Sequence, residues 1–254
     1  MAKFLITYFG LCLFLSVSVK AQISHGGRPL PLMATKSLTE EMFVTMPPFD
    51  LEEQLRLDSL EATDLRSAFR FAYKFMTDHT PENSGIRFTL PDGTKVWRLG
   101  IRSEGALSLN ILFSKYHLPE GACVFLYNND QSEILGAFNH LNNSGRGILP
   151  VAPLPGDELI IEYQEPAEAA FPGKLAVGEV NHGYRDFRVS EPQPDFTAFK
   201  CMPTVACFQD TTTRYNDIER SVVLLIIDGQ IGCTGTLINN TANDGRPYLL
   251  TASH

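Results

Sequence analysis

The chain has 254 residues and a formal net charge of -8; that length gives room for roughly two domains, each able to bury a core. Carboxylates outnumber bases and no patch of Lys and Arg stands out, which excludes nucleic acid as a partner, because phosphate binding needs clustered cations. A hydrophobic content of 44%, with seventeen Phe and eight Tyr, supports buried cores of β structure.

Residues 1–21 have the layout of a secretory signal peptide: Lys3, an apolar run from Phe4 to Val19, then Val19-Lys20-Ala21 as the cleavage site. The mature chain is expected to begin at Gln22 and to be secreted, with no membrane contact after cleavage. No later stretch is long and apolar enough to span a bilayer. Residues 22–64 read as linker, punctuated by Pro29-Leu30-Pro31 and Pro47-Pro48. Leu51, Leu55 and Leu60 fall near helical spacing and allow one short amphipathic helix.

From Phe69 the period becomes two: Phe69, Phe71, Tyr73 and Phe75 alternate with Arg70, Ala72 and Lys74, as in a half-buried strand. Ile86 to Leu90, the turn Pro91-Asp92-Gly93 and the strand from Lys95 make a hairpin, since Asp-Gly tolerates positive φ. Further strands are expected over 95–103, 106–113, 122–127, 133–138, 157–163 and 175–185. Turns such as Leu118-Pro119-Glu120-Gly121 and Pro153-Leu154-Pro155-Gly156 separate them. This spacing predicts a mainly β fold, a β-sandwich or jelly roll over 65–190. Trp97, Tyr116 and Tyr127 offer candidate stacking faces for a sugar, although a lone aromatic in an alternating strand such as Trp97 more often belongs to the core. His117 and His140 stand alone beside loops and read as surface residues.

Glu191-Pro192-Gln193-Pro194-Asp195 interrupts regular structure, so an exposed linker is placed at 191–200 and a second unit at 201–254. Ser221 to Ile227, the turn Asp228-Gly229, the return strand Ile231 to Ile238 and Pro247 to Thr251 give three antiparallel strands, too few to close a barrel. Asp217, Asp228 and Asp244 read as turn or loop residues. After Cys12 leaves with the signal peptide, Cys123, Cys201, Cys207 and Cys233 remain, with a small Cys201–Cys207 loop as one pairing. Cys201-x5-Cys207 is too wide for a zinc knuckle and no His stands at ligand spacing, so no metal is expected and no cofactor is called for.

Cys201-x5-Cys207, Glu219-Arg220-Ser221-Val222-Val223, the string from Cys233 to Thr241 and Tyr248-Leu249-Leu250-Thr251-Ala252-x-His254 together resemble the secreted bacterial lysyl endopeptidases of the trypsin-like clan. Trp97-Arg98-Leu99, Gly156-Asp157 and His182-Gly183-Tyr184-Arg185 resemble the β-rich pro-region of such precursors. The resemblance implies a serine endopeptidase acting on protein or peptide substrates, in which His254 is the general base, and suggests selectivity for lysine. It implies the chain order His, Asp, Ser for the triad, so the Asp and Ser are expected beyond His254 and this chain is expected to be inactive alone. It also implies that Cys201, Cys207 and Cys233 take downstream partners, and that Lys200 is the candidate activation cut. The competing expectation is a non-enzymatic secreted sandwich that binds a glycan or protein.

Overall fold

Short runs rich in apolar residues and bounded by turn residues dictate strands, some alternating apolar with polar, as from Ala72 to His79, and others apolar throughout, as from Val222 to Ile227. The computed structural model of the chain describes residues 24–31, 39–61, 69–186, 220–246 and 248–251. In chain order these form β1 (Phe43–Thr45), α1 (Leu51–Glu61), β2 (Phe69–Arg70), β3 (Ala72–His79), β4 (Ile86–Thr89), β5 (Lys95–Arg102), β6 (Ser108–His117), β7 (Cys123–Tyr127) and β8 (Ile134–Asn139). There follow β9 (Leu149–Pro150), β10 (Leu154–Pro155), β11 (Glu158–Glu165), β12 (Lys174–Gly183), β13 (Val222–Ile227), β14 (Ile231–Ile238) and β15 (Tyr248–Thr251). The architecture is mainly β, as expected, in three sheets of which none closes.

The first sheet runs β1-β5-β11-β7-β8 with β4 also on β5, and the second β10-β6-β12-β3 with β9 also on β6. Their facing sides bury one core, with Trp97, Leu99 and Ile101 of β5 and Leu159, Ile161 and Tyr163 of β11 on one side, and Leu109, Ile111 and Phe113 of β6 and Val177 and Val180 of β12 on the other. All pairings are antiparallel except β1 with β5, where Phe43 stands opposite Gly100. Gly100 is needed there: a Cβ would lie 2.5 Å from the Phe43 ring.

The outer side of the first sheet is covered rather than wet. The His25 amide donates to the Ala137 carbonyl and the Ala137 amide to the Gly26 carbonyl, and Pro29 is buried, so the proline-punctuated segment lies on this sheet. Beneath it Arg98 and Glu162 form a fully buried ion pair, Nε to Oε2 at 2.8 Å. Glu162 also accepts from the Tyr127 hydroxyl at 2.9 Å, the Leu30 amide at 2.8 Å and Gln164 Nε2 at 2.7 Å. Four donors on one carboxylate are what a charge needs once it leaves water.

The helix α1 forms where leucine spacing suggested one, with Asp50 as its N-cap accepting from the Glu53 amide at 2.9 Å. Its buried face is the opposite of the expected one: the leucines at 51, 55, 57 and 60 are exposed and Asp58 is the buried residue, at 5%. Ionic docking explains the inversion. Asp58 takes Arg70 Nη1 at 2.9 Å, Arg185 Nη2 at 3.2 Å, the Tyr184 hydroxyl at 2.8 Å and Gln54 Nε2 at 3.1 Å. Tyr184 and Arg185 thus tie the helix to the end of β12.

The third sheet is β13-β14-β15, with β2 added to β14 through Ile231 opposite Arg70 and Gly232 opposite Phe69. Phe69 to Phe75 is therefore not one strand. It breaks at Phe71, whose amide donates to the Gln230 carbonyl at 2.8 Å while its carbonyl accepts from Tyr184 and Arg185.

Candidate active site

The sheet that leads to His254 is a meander. Val222 to Ile227 pairs with Thr236 to Ile231 across the Asp228-Gly229 turn, and Ile238 to Gly235 pairs with Tyr248 to Thr251. Thr251 donates to the Thr234 carbonyl at 2.9 Å and brings its Oγ1 to 3.6 Å from Cys233 Sγ. The stretch that carries the candidate histidine is thereby anchored beside Cys233, a free thiol in this structure. Apolar side chains of this sheet, Leu224, Leu237, Leu249 and Leu250 among them, are exposed. Lys200, Cys201, Cys207, Asp217 and His254 lie outside the described residues. Asp228 and Asp244 sit in turns, as expected, the first with φ +53 and the second paired with Arg246.

Within the sandwich the structure brings together a pair that the sequence did not announce. Ser103 Oγ and His182 Nδ1 are 2.7 Å apart. Serine beside histidine invites a catalytic reading, but both residues are buried and the ring is turned the wrong way, since a hydrolytic triad presents Nε2 to its serine. His182 packs edge-on against Phe49 with ring centres 4.8 Å apart. Burial lowers its pKa, against the pull of the Asp157 charge, and keeps it neutral at pH 7. It is a core histidine with a satisfied nitrogen.

The three aromatic rings considered as sugar platforms are not available. Trp97 is 2% exposed, Tyr116 and Tyr127 no more, and their polar atoms are engaged: the indole donates to the Ser84 carbonyl at 2.7 Å and the Tyr116 hydroxyl to the Asn139 carbonyl at 3.1 Å. Trp97 and Tyr116 face the core between the sheets and Tyr127 the covered outer side of the first sheet, because aromatic area is worth most when removed from water. His117 is exposed and stacks on Phe171. A cleft of about 470 Å³ opens over β4 and β5, lined in part by Arg87, Phe88, Lys95 and Glu165. Burial pushes the Glu165 carboxyl up, but the Gly173 amide at 2.7 Å, the Tyr163 hydroxyl at 2.7 Å and Lys95 at 3.1 Å hold it below the usual range. All three act within the fold, so this carboxylate is a bracket for the 172–173 loop.

Residues 197–254 match the family model described as lysyl endopeptidase, C-terminal domain. This end of the chain is similar to the lysyl endopeptidases. The matched stretch contains β13, β14 and β15, the turn Asp228-Gly229 and the His254 position. No solved structure matches the chain, so the arrangement of the sandwich rests on its own geometry. Among the described residues no helix is long and apolar enough to cross a membrane.

Proposed function

We propose that the chain is the N-terminal part of a secreted serine endopeptidase precursor, with residues 65–190 as a β-sandwich pro-region and 201–254 as the opening strands of the protease domain. The family match over 197–254 carries this reading. It is supported by the meander in which β14 and β15 pair in register immediately before Thr251-Ala252-Ser253-His254. In the complete enzyme His254 takes the proton of a serine hydroxyl as it attacks the scissile carbonyl, then hands it to the leaving amine. The family order of the triad puts the orienting Asp and the nucleophilic Ser after His254. Activation requires a cut in the 191–200 linker, with Lys200 the residue at which an enzyme selective for lysine would cleave its own precursor. Residues 1–21 direct export.

The experiment is labelling with a fluorophosphonate probe, which marks an activated serine. The chain of residues 22–254 is expected to stay unlabelled, since the buried Ser103 is the serine held against a histidine among the described residues. Stoichiometric labelling at any serine of this chain overturns the assignment of roles.

A further inference from the structure

The outer side of the second sheet carries a row of polar residues: Lys74 of β3 stands opposite Asn181 of β12, and Asn181 opposite Asn110 of β6. The tip of the β13–β14 hairpin sits on this row. Asp228 pairs with Lys74, which also meets Glu179 at 3.3 Å, and Asn110 Nδ2 donates to the Gly229 carbonyl at 3.1 Å. The α-carbon of Gly229 lies so close over Asn181 that a Cβ there would be 2.4 Å from the amide nitrogen, and φ is +73. Beside the tip, Phe71 and Ala72 amides donate to the Gln230 carbonyl.

Two features say what kind of contact this is. Both amide atoms of Asn181 and Oδ1 of Asn110 are buried without a hydrogen-bond partner. Next to them a half-open cleft of about 380 Å³ runs between Leu112, Pro150 and Val151 of the sandwich and Leu224 and Ile226 of the hairpin. A permanent interface closes such clefts and satisfies its polar atoms. A surface that must also stand in water keeps lysine and asparagine and accepts imperfect pairing when covered.

We infer that the Lys74–Asn181–Asn110 row is a docking site for the Asp228-Gly229-Gln230 turn, a contact by which the sandwich holds the hairpin bearing Cys233 and which is built to separate. The partner is a tight acidic turn, Asp228-Gly229-Gln230, read by one ammonium, one carboxamide and the Phe71 and Ala72 amides. This deepens the precursor reading, on which its consequence rests: once the connecting segment is cut, this contact and the short β2–β14 pairing are what hold the sandwich on the protease strands among the described residues, and salt weakens the ionic part.

The test is amide hydrogen exchange on the full chain. Lys74→Ala removes the ammonium from outside the hairpin, and Gly229→Ala puts a methyl against Asn181. Gly245→Ala is the control for positive φ, since that glycine, at φ +71, has nothing within 4 Å. In the first two variants, exchange of Leu224 to Ile227 and of Gly232 to Leu237 is expected to rise tenfold or more, with β5 and β11 unchanged; the control stays within about threefold at Leu224 to Ile227. The inference is overturned if Lys74→Ala and Gly229→Ala leave the hairpin within twofold of the unaltered chain, or if β5 and β11 open with it by the same factor. A serine that reacts with fluorophosphonate would sink the precursor roles and leave this result standing.

Discussion

Replacing Glu162 by Gln tests whether the covered side of the first sheet is held by its charge. The substitution keeps shape but changes one oxygen to a donor, so it must face either Arg98 and Tyr127 on the Oε2 side or Leu30 and Gln164 on the Oε1 side. Either way one hydrogen bond becomes donor against donor, Arg98 Nε on one side or the Leu30 amide on the other, since the Tyr127 hydroxyl and the Gln164 carboxamide can turn to accept, and the guanidinium of Arg98, at 0% exposure, loses this counter-charge. One lost bond at about 1 kcal/mol, plus the loss of the counter-charge beside a buried cation, sum to about 3–5 kcal/mol. Trp97 is the chain's single tryptophan and lies in the core on the other face of the same sheet, so a urea titration followed by its fluorescence reads the unfolding of the sandwich. The midpoint should fall while the slope is kept. Arg98→Met combined with Glu162→Leu should lose less than Glu162→Leu alone, because the pair is removed together. A loss below about 1 kcal/mol for Glu162→Gln would refute the reasoning.

The remaining expectations are shorter. His182 is held neutral, with its pKa depressed from 6.5 by burial. The folded state therefore binds fewer protons than the unfolded one, and the stability it contributes is complete above about pH 6.5 and drains away as pH falls toward the lower folded value. His79, also depressed, adds to the same window. His182→Gln should flatten the stability profile between pH 7 and 5, and an unchanged slope would count against the assignment. Trp97 should emit at short wavelength, resist acrylamide and ignore added glycans. Trp97→Ala should cost about 3–5 kcal/mol by urea titration, and quenching like that of free indole would contradict its place in the core.

Short apolar runs between turn residues made the sandwich legible, with alternation showing in β3 and not in β5 or β11, which are buried on both faces. The 95–103 and 231–238 expectations landed on β5 and β14 within a residue or so. The Pro91-Asp92-Gly93 hairpin formed with the Thr94 amide donating to Asp92 at 2.9 Å. What alternation does not carry is the identity of the partner strand. Phe69, Phe71, Tyr73 and Phe75 alternate without a fault, yet the ladder changes at Phe71, since backbone bonds to Gln230 and Tyr184 leave no trace in side-chain pattern. The three-residue β1 is too short for any period to show. Helix α1 was visible from leucine spacing but its direction was not, because a carboxylate opposed by two arginines far along the chain outweighed four leucines. The Ser103–His182 pair was equally hidden, its members lying 79 positions apart. The candidate base, by contrast, was read from local sequence, where a short motif is specific.

The contact between Lys74 and Asp228 joins residues 154 positions apart, which gives the molecule an order in time. At a synthesis rate of about 5–20 residues per second, Lys74 emerges roughly 8–30 s before its acidic partner. The sandwich strands thus precede the hairpin and can pair while β13 and β14 do not yet exist. A two-stranded hairpin is barely stable in water by itself, so this one arrives last at a template already made, and closing so distant a loop costs least when one end is rigid.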